Sequence, residues 1–318
     1  MDFVRIPFTV IRGTQITLVE AAIFFAAQGG SVAIQMALYP SVGTPMFPVH
    51  DVTNWTPERP ETLGSKAKIW LLPSLDSGLP KVPHLFKIGR PNTGENWAEK
   101  AACEIARALE LPCATYNLAF RGEDKGVISE RFIPVGANVA FGNLILSQMI
   151  PQYDSTLRFK QDKYQLGRML GVLRVRGIGP PLDCPASCSH LTGHEVFVGY
   201  LILDVLIGNG DRHHDNWGVI VTPENGKFVY HLAPTFDHAS SLGREQNSEA
   251  LKRRLTTRDR RGDVEAYAAK CRSAFYVPAQ PLCPFGRVLQ YGTLVACPRD
   301  VMATYGGWHG QRPHQGLG

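Results

Sequence analysis

The chain has 318 residues, 44% of them hydrophobic and 19% charged, an ordinary balance for a globular protein of one large domain or two modest ones. Its net charge of +5 is mild and its Lys and Arg residues are scattered, which permits an anionic ligand such as a nucleotide but gives no ground for direct nucleic-acid binding. Seven cysteines, spread from Cys103 to Cys297, form no repeating framework and read as the reduced thiols of a cytoplasmic protein.

Residues 1–58 have no coherent period and read as an N-terminal extension. Ala21–Tyr39 is rich in apolar residues, but Glu20, Gln28, Gln35 and the Gly29-Gly30 pair interrupt it, so neither a membrane span nor a signal peptide is expected. HDVTNWTPERPET, from His50 to Thr62, is polar and proline-containing and reads as a linker or lead-in. From Lys66 the pattern changes: KAKIWLLP predicts a strand, DSGLPK a turn and VPHLFKIG the returning strand. WAEKAACEIARALEL then predicts a helix with Trp97, Ala101, Ile105, Ala108 and Leu109 near one face. ATYNLAF and GVISERFI are strand candidates joined by the turn RGEDKG.

The second half begins with helices. Tyr164–Val175 alternates apolar and basic residues at helical spacing, and Glu195–Ile207 is an apolar run long enough for a buried helix. Between them, Cys184, Cys188, His190 and His194 have no standard zinc spacing and are broken by Pro185, so they read as a surface loop. GNGDRHHDNWGVIVT predicts a loop running into a strand, Asn225-Gly226 a tight hairpin turn, and KFVYHLA the return strand. The basic run Lys252–Arg261 reads as a solvated surface segment, and no internal repeat is visible.

The loop Asn209–Asn216 carries the chemistry. It presents Asp211 and then Asn216, and the hairpin brings the chain back to Asp237. Phosphoryl transfer needs a carboxylate to orient the nucleophile and oxygen ligands that hold a metal against the phosphates, and an Asp followed by an Asn at this spacing suits a kinase catalytic loop. Asp, Asn and His are also common in turns for local reasons. His213 and His214 would either stabilise phosphate charge or brace the loop. A metallohydrolase built on two His and two Asp would leave the upstream half unexplained.

DRHHDNWG followed by HLAPTFDHASSLG, with LFK, GENWAEKAACEIA and GVISERF upstream, resembles the HipA-like kinases over roughly Glu61 to Tyr276. The resemblance implies an α+β, bilobal protein-kinase-like fold: a small β-rich N-lobe at 59–134, in strand, strand, helix, strand, strand order, and a mostly helical C-lobe at 135–276. It implies transfer of the γ-phosphate of ATP, with Mg²⁺, to a Ser or Thr hydroxyl of a protein partner. The DRHxxN element is also similar to that of phosphatidylinositol kinases, so a lipid or small-alcohol acceptor is an alternative, and an inactive remnant acting as a binding module is a third.

By the same resemblance Lys87 would contact ATP phosphates and Glu99 would pair with it, Glu104 being a rival partner. Asp211 would be catalytic with His213 beside it, and Asn216 and Asp237 would ligate the metal. Glu130 and Phe132 belong to the hinge Ser129–Phe132, which would meet adenine. Ser65, Lys66 and Lys68 fall where the phosphate-covering loop belongs. That loop has a single glycine, so Lys66 or Lys68 would substitute charge for backbone amides. The tail at 277–318 is Pro/Gly-broken and ends in RPHQGLG, similar to the end of insertion-sequence transposases. It is expected to be foreign to the catalytic body, and the lobe before it to be truncated.

Overall fold

The computed structural model describes residues 3–12, 15–28, 31–40, 47–60, 68–244 and 271–276, with isolated positions between 249 and 259. Ser65, Lys66 and the tail after 276 lie outside the described residues. The N-terminal extension is not a patternless lead-in. β1 (Phe3–Arg12), β2 (Gln15–Gln28) and β3 (Ser31–Pro40) form an antiparallel sheet in sequence order, with Ala22 opposite both Arg5 and Ala37. The apolar run Ala21–Tyr39, Gly29-Gly30 aside, thus lies in β2 and β3, which its Val, Ile, Phe and Tyr content favours. Among the described residues no helix is long and apolar enough to cross a membrane.

The stretch read as a linker is structured as well. β4 (Val49–Asp51) and β5 (Thr56–Pro60) are the two edges of a six-stranded sheet that also holds β6 (Lys68–Leu72), β7 (His84–Ile88), β8 (Tyr116–Arg121) and β9 (Asp124–Glu130). The order is β4-β8-β9-β7-β6-β5, antiparallel except for β4 against β8. Val52 and Trp55, just inside these edges, are buried against Leu71, Phe86, Ala119 and Ile128.

Helix α1 (Glu95–Ala108) covers the other face of the sheet. The period of two in β7 decides which side each residue serves. Phe86 enters the core cluster on one face, while Lys87 points to the face carrying α1. The helix turns Ala98, Ala102, Cys103 and Ala106 inward, and Trp97 is exposed, contrary to the face predicted from helical spacing. Small residues let the helix approach the strands closely; the indole would hold them apart.

The remaining elements form the second half of the domain. They are β10 (Asn138–Phe141), α2 (Gly142–Met149), α3 (Leu166–Val175), α4 (Gly193–Ile207), β11 (Gly218–Glu224) and β12 (Lys227–Leu232). The last two strands meet at Asn225-Gly226, both at positive φ, and β10 pairs on the open side of β11. The three helices share one core with Trp217, Val219 and Leu232. Leu203 and Ile207 of α4 pack on Ala102, Ile105 and Ala106 of α1 and join the two halves. Gly208 then stops α4 in the left-handed conformation at φ 65°, which glycine adopts without a Cβ penalty. The loop that follows starts directly behind α1.

Candidate active site

Lys87 is buried between two carboxylates. Its Nζ donates to Glu99 Oε1 at 2.8 Å and to Asp237 Oδ1 at 3.0 Å, and lies 5.6 Å from the centre of the Tyr116 ring. Glu104, the rival partner, instead accepts from Lys100 at 2.7 Å and from Arg107 at 2.9 Å. Burial pushes the Lys87 ammonium down, but Asp237 and Glu99 outweigh it and hold it well above its ordinary value. Burial also raises Glu99, with Lys87 the main group pulling it back. Asp237 takes a left-handed φ of 58°, which Asp tolerates better than most residues, and its backbone N–H donates to the Tyr116 hydroxyl at 3.1 Å.

This geometry fixes the consequence of Lys87→Ala. Glu99 would lose the group that holds its carboxyl down, so its folded-state pKa would climb further above the unfolded value. A raised carboxyl favours the fold only while protonated. The variant's melting temperature relative to the wild type's should therefore fall as pH rises from about 5 to 8. A pH-independent gap would show that Glu99 finds another cation.

The loop after α4 is held from beneath by Arg212, which is 1% exposed. Its guanidinium forks onto Asp204 of α4, Nε to Oδ2 at 2.8 Å and Nη2 to Oδ1 at 2.7 Å. It also donates to the Asn216 carbonyl at 2.8 Å and to Thr235 Oγ1 at 2.9 Å. One side chain thus ties the loop to α4 and to the segment that carries Asp237. The Arg212 carbonyl accepts from the Tyr164 hydroxyl at 2.8 Å, and the His214 carbonyl accepts from the Asn143 N–H at 3.0 Å.

With the loop fixed, its side chains divide. Asn216 Nδ2 donates to the Asp211 carbonyl at 2.7 Å, so its amide is oriented by the residue it serves beside. Asp211 Oδ2 accepts from the Ser240 hydroxyl at 3.1 Å, and Arg244 Nη2 donates to the same Ser240 oxygen at 3.2 Å. His213 Nδ1 accepts from the Asp215 N–H at 3.2 Å, which places the ring proton on Nε2, 3.6 Å from Asp211 Oδ1. Burial lowers His213, opposed by Asp211 and Asp215, so the neutral ring stands at the carboxylate's flank. His214 turns away from the cleft and meets the Tyr153 hydroxyl at 2.7 Å. The two histidines therefore split the roles open to them: His213 faces the cleft and His214 braces the loop.

These groups surround a cleft of about 1070 Å³. Lys68, Lys87, Glu130, Phe132, Asp211, His213, Asn216 and Asp237 all line it, while Glu99 stands behind Lys87. Lys68 is directly opposite Lys87 in the β6–β7 register, so both reach the same face. Phe132 stacks on Phe236 with centroids 5.8 Å apart, and Phe141 meets Phe236 edge-on at 6.2 Å, giving the cleft an aromatic wall. Arg158, joined to Asp215 at 2.7 Å, also lines the cleft. Arg212, Asp204, Ser240 and Arg244 are additions to the site anticipated from sequence. Asp204 had a visible signal: it is the one carboxylate in the apolar stretch Val196–Ile207.

Residues 63–280 match the HipA-like C-terminal domain family. The chain belongs to this family. Among solved structures it is similar to the Helicobacter pylori proinflammatory kinase CtkA, at 18% identity and a TM-score of 0.48 over 66% of each chain. It is also similar to the Shewanella oneidensis MR-1 HipA solved with HipB and operator DNA, at 16% identity and a TM-score of 0.39. That match covers 67% of this chain and 55% of the other. A comparison with curated proteins returned no match.

As a HipA-like domain the chain is expected to use a divalent cation, and its oxygen donors suit one. Asn216 gives its Nδ2 to a carbonyl and so leaves Oδ1 for a ligand, and Asp237, whose Oδ1 meets Lys87, adds a carboxylate to the cleft lining. Among the described residues no group of three or more His, Cys, Asp and Glu forms a cage. Two protein oxygens completed by phosphate and water suit Mg²⁺.

Proposed function

We propose that this chain is an ATP-dependent phosphotransferase that phosphorylates a Ser or Thr hydroxyl of a protein. The observation that carries the reading is the convergence of Asp211, Asn216, Asp237 and the Lys87–Glu99 pair on one aromatic-walled cleft. In this reading Phe132 and Phe236 receive adenine, and Lys87, steered by Glu99, meets the phosphates. Asn216 and Asp237 hold Mg²⁺, which neutralises charge developing on the phosphates. Asp211 orients the acceptor hydroxyl and takes its proton. The alternation of cationic and carboxylate side chains leaves little covalent work for the protein beyond positioning.

The test is transfer of labelled γ-phosphate from ATP to a protein acceptor in the presence of Mg²⁺. Label appearing only in lipid would move the reading to a lipid kinase, and nucleotide binding without turnover would leave a binding module. Chelation by EDTA should abolish transfer and added Mg²⁺ restore it. Asp237→Asn should raise the Mg²⁺ concentration needed for half-maximal rate. In a nucleotide complex the Asn216 and Asp237 oxygens should stand about 2.1 Å from the ion; full activity in EDTA would remove both from the metal.

A further inference from the structure

One helical turn before Glu99, on the same side of α1, stands a second enclosed carboxylate: Glu95 is 2% exposed. Its Oε2 accepts the Arg90 N–H at 3.0 Å, and its Oε1 accepts from Nη1 of Arg90 at 3.2 Å and from Nη1 of Arg244. The Gly94 N–H, at the head of the helix, donates to the Arg244 carbonyl at 2.6 Å. The other arm of the Arg244 guanidinium, Nη2, donates to Ser240 Oγ at 3.2 Å, and the Ser240 hydroxyl donates to Asp211 Oδ2 at 3.1 Å. Helix α1 is thus joined to the cleft twice. Glu99 leads to Lys87 and Asp237; Glu95 leads to Arg244, Ser240 and Asp211. We infer that Glu95 and Arg244 are a positioning pair for phosphoryl transfer, setting through Ser240 the direction in which the Asp211 carboxylate faces the acceptor.

The inference rests on the phosphotransferase reading above and adds to it two residues to which that reading gives no contact with nucleotide or metal. A general base serves only where its oxygen reaches the proton it is to take. The Asp211 carboxylate can turn about its own side-chain bonds; Ser240 holds its Oδ2, and His213 flanks its Oδ1. A serine hydroxyl can rotate as well, and Arg244 fixes this one by donating to its oxygen. A guanidinium suits that task because it is planar and presents its N–H groups at fixed angles, so one side chain meets Glu95 and Ser240 together. Lysine carries the same charge as a single point on a flexible stem and lacks the fork. Glu95 in turn anchors the guanidinium beneath the head of α1, where the helix dipole also favours a carboxylate. Arg90 is a second cation on Glu95, so shortening Arg244 does not strand that buried charge.

Arg244→Lys, Ser240→Ala and their combination are compared with the wild type as full-length chains. Steady-state ADP release is followed with ATP, Mg²⁺ and dephosphorylated casein as the acceptor probe, and affinity is read by titration with a non-hydrolysable ATP analogue. Each single variant should lower kcat by about ten- to hundredfold, up to the scale of a 1 Å misplacement, with analogue affinity and melting temperature unchanged. The combination should be no slower than the slower single variant, because both changes break the same chain of contacts. An ion pair with only a structural role predicts otherwise: Arg244→Lys keeps a cation on Glu95 and would turn over at the wild-type rate. That outcome overturns the inference, as do rate losses that multiply in the combination or a loss of affinity that matches the loss of rate. Ser240→Ala removes no charge and decides the matter alone should the lysine variant fail to fold, since wild-type turnover in it also overturns the inference. All these outcomes leave the phosphotransferase reading standing, because the wild type turns over. A wild-type chain that binds the analogue and releases no ADP overturns both.

Discussion

Asp211→Asn is expected to lower phosphoryl transfer by about 10²–10⁴-fold, the usual contribution of a positioned general base, while nucleotide affinity stays nearly constant. The geometry explains why the two should separate. The side chain of Asp211 meets Ser240 and flanks His213, whereas the group that orients Asn216 is the Asp211 backbone carbonyl. An amide at this position removes the charge and proton-accepting power but leaves that carbonyl in place. Asn216 is not disturbed, and neither is Lys87, whose partners are Glu99 and Asp237. Nucleotide titration and initial-rate measurement on the same preparation check this. A parallel loss of affinity and rate would mean that Asp211 binds the metal or the phosphates rather than the acceptor.

Much of this arrangement was legible in the sequence because its signals are local. The hairpin turn Asn225-Gly226, the buried helix ending at Ile207 and the loop that runs on from it into a strand are all fixed by neighbours along the chain, and the structure has them as read. What escaped reading depends on distant partners. β4 is three residues long and exists because it lies parallel to β8, about seventy positions on; no periodicity within HDVTNWTPERPET announces that. Helical spacing put Trp97 with the apolar face of α1, yet it is exposed: Cys103 faces the strands and Ala102 and Ala106 face α4. Glu99 is fully buried against Lys87 across the α1–sheet interface; hydrophobic patterning alone scores it as a surface residue, and only the family resemblance named the pair.

Arg212 poses the sharpest version of that difficulty, and its replacement should have the largest effect on stability. Arg212→Met keeps most of the volume but leaves Asp204 charged and buried, with Asn209 as its remaining side-chain donor. Removing one member of a buried pair costs about 3–5 kcal/mol, a fall in melting temperature on the order of 10 °C for a domain of this size. Burial opposes the Arg212 charge, and Asp204 more than restores it. Arg212→Met combined with Asp204→Leu should recover most of the lost stability, because an apolar pair of similar volume replaces a costly ionic one. Activity should not return with it. The guanidinium also holds the Asn216 carbonyl and Thr235, two positions before Asp237, and no methionine can restore those bonds. Loss of that registration between the two segments proposed to hold the metal should keep turnover down by about 10²-fold, the scale of a 1 Å misplacement in a catalytic site. A double variant that is both stable and fully active would show that Arg212 only balances Asp204; a stable, slow enzyme whose Mg²⁺ requirement has risen would show that it sets the distance between Asn216 and Asp237.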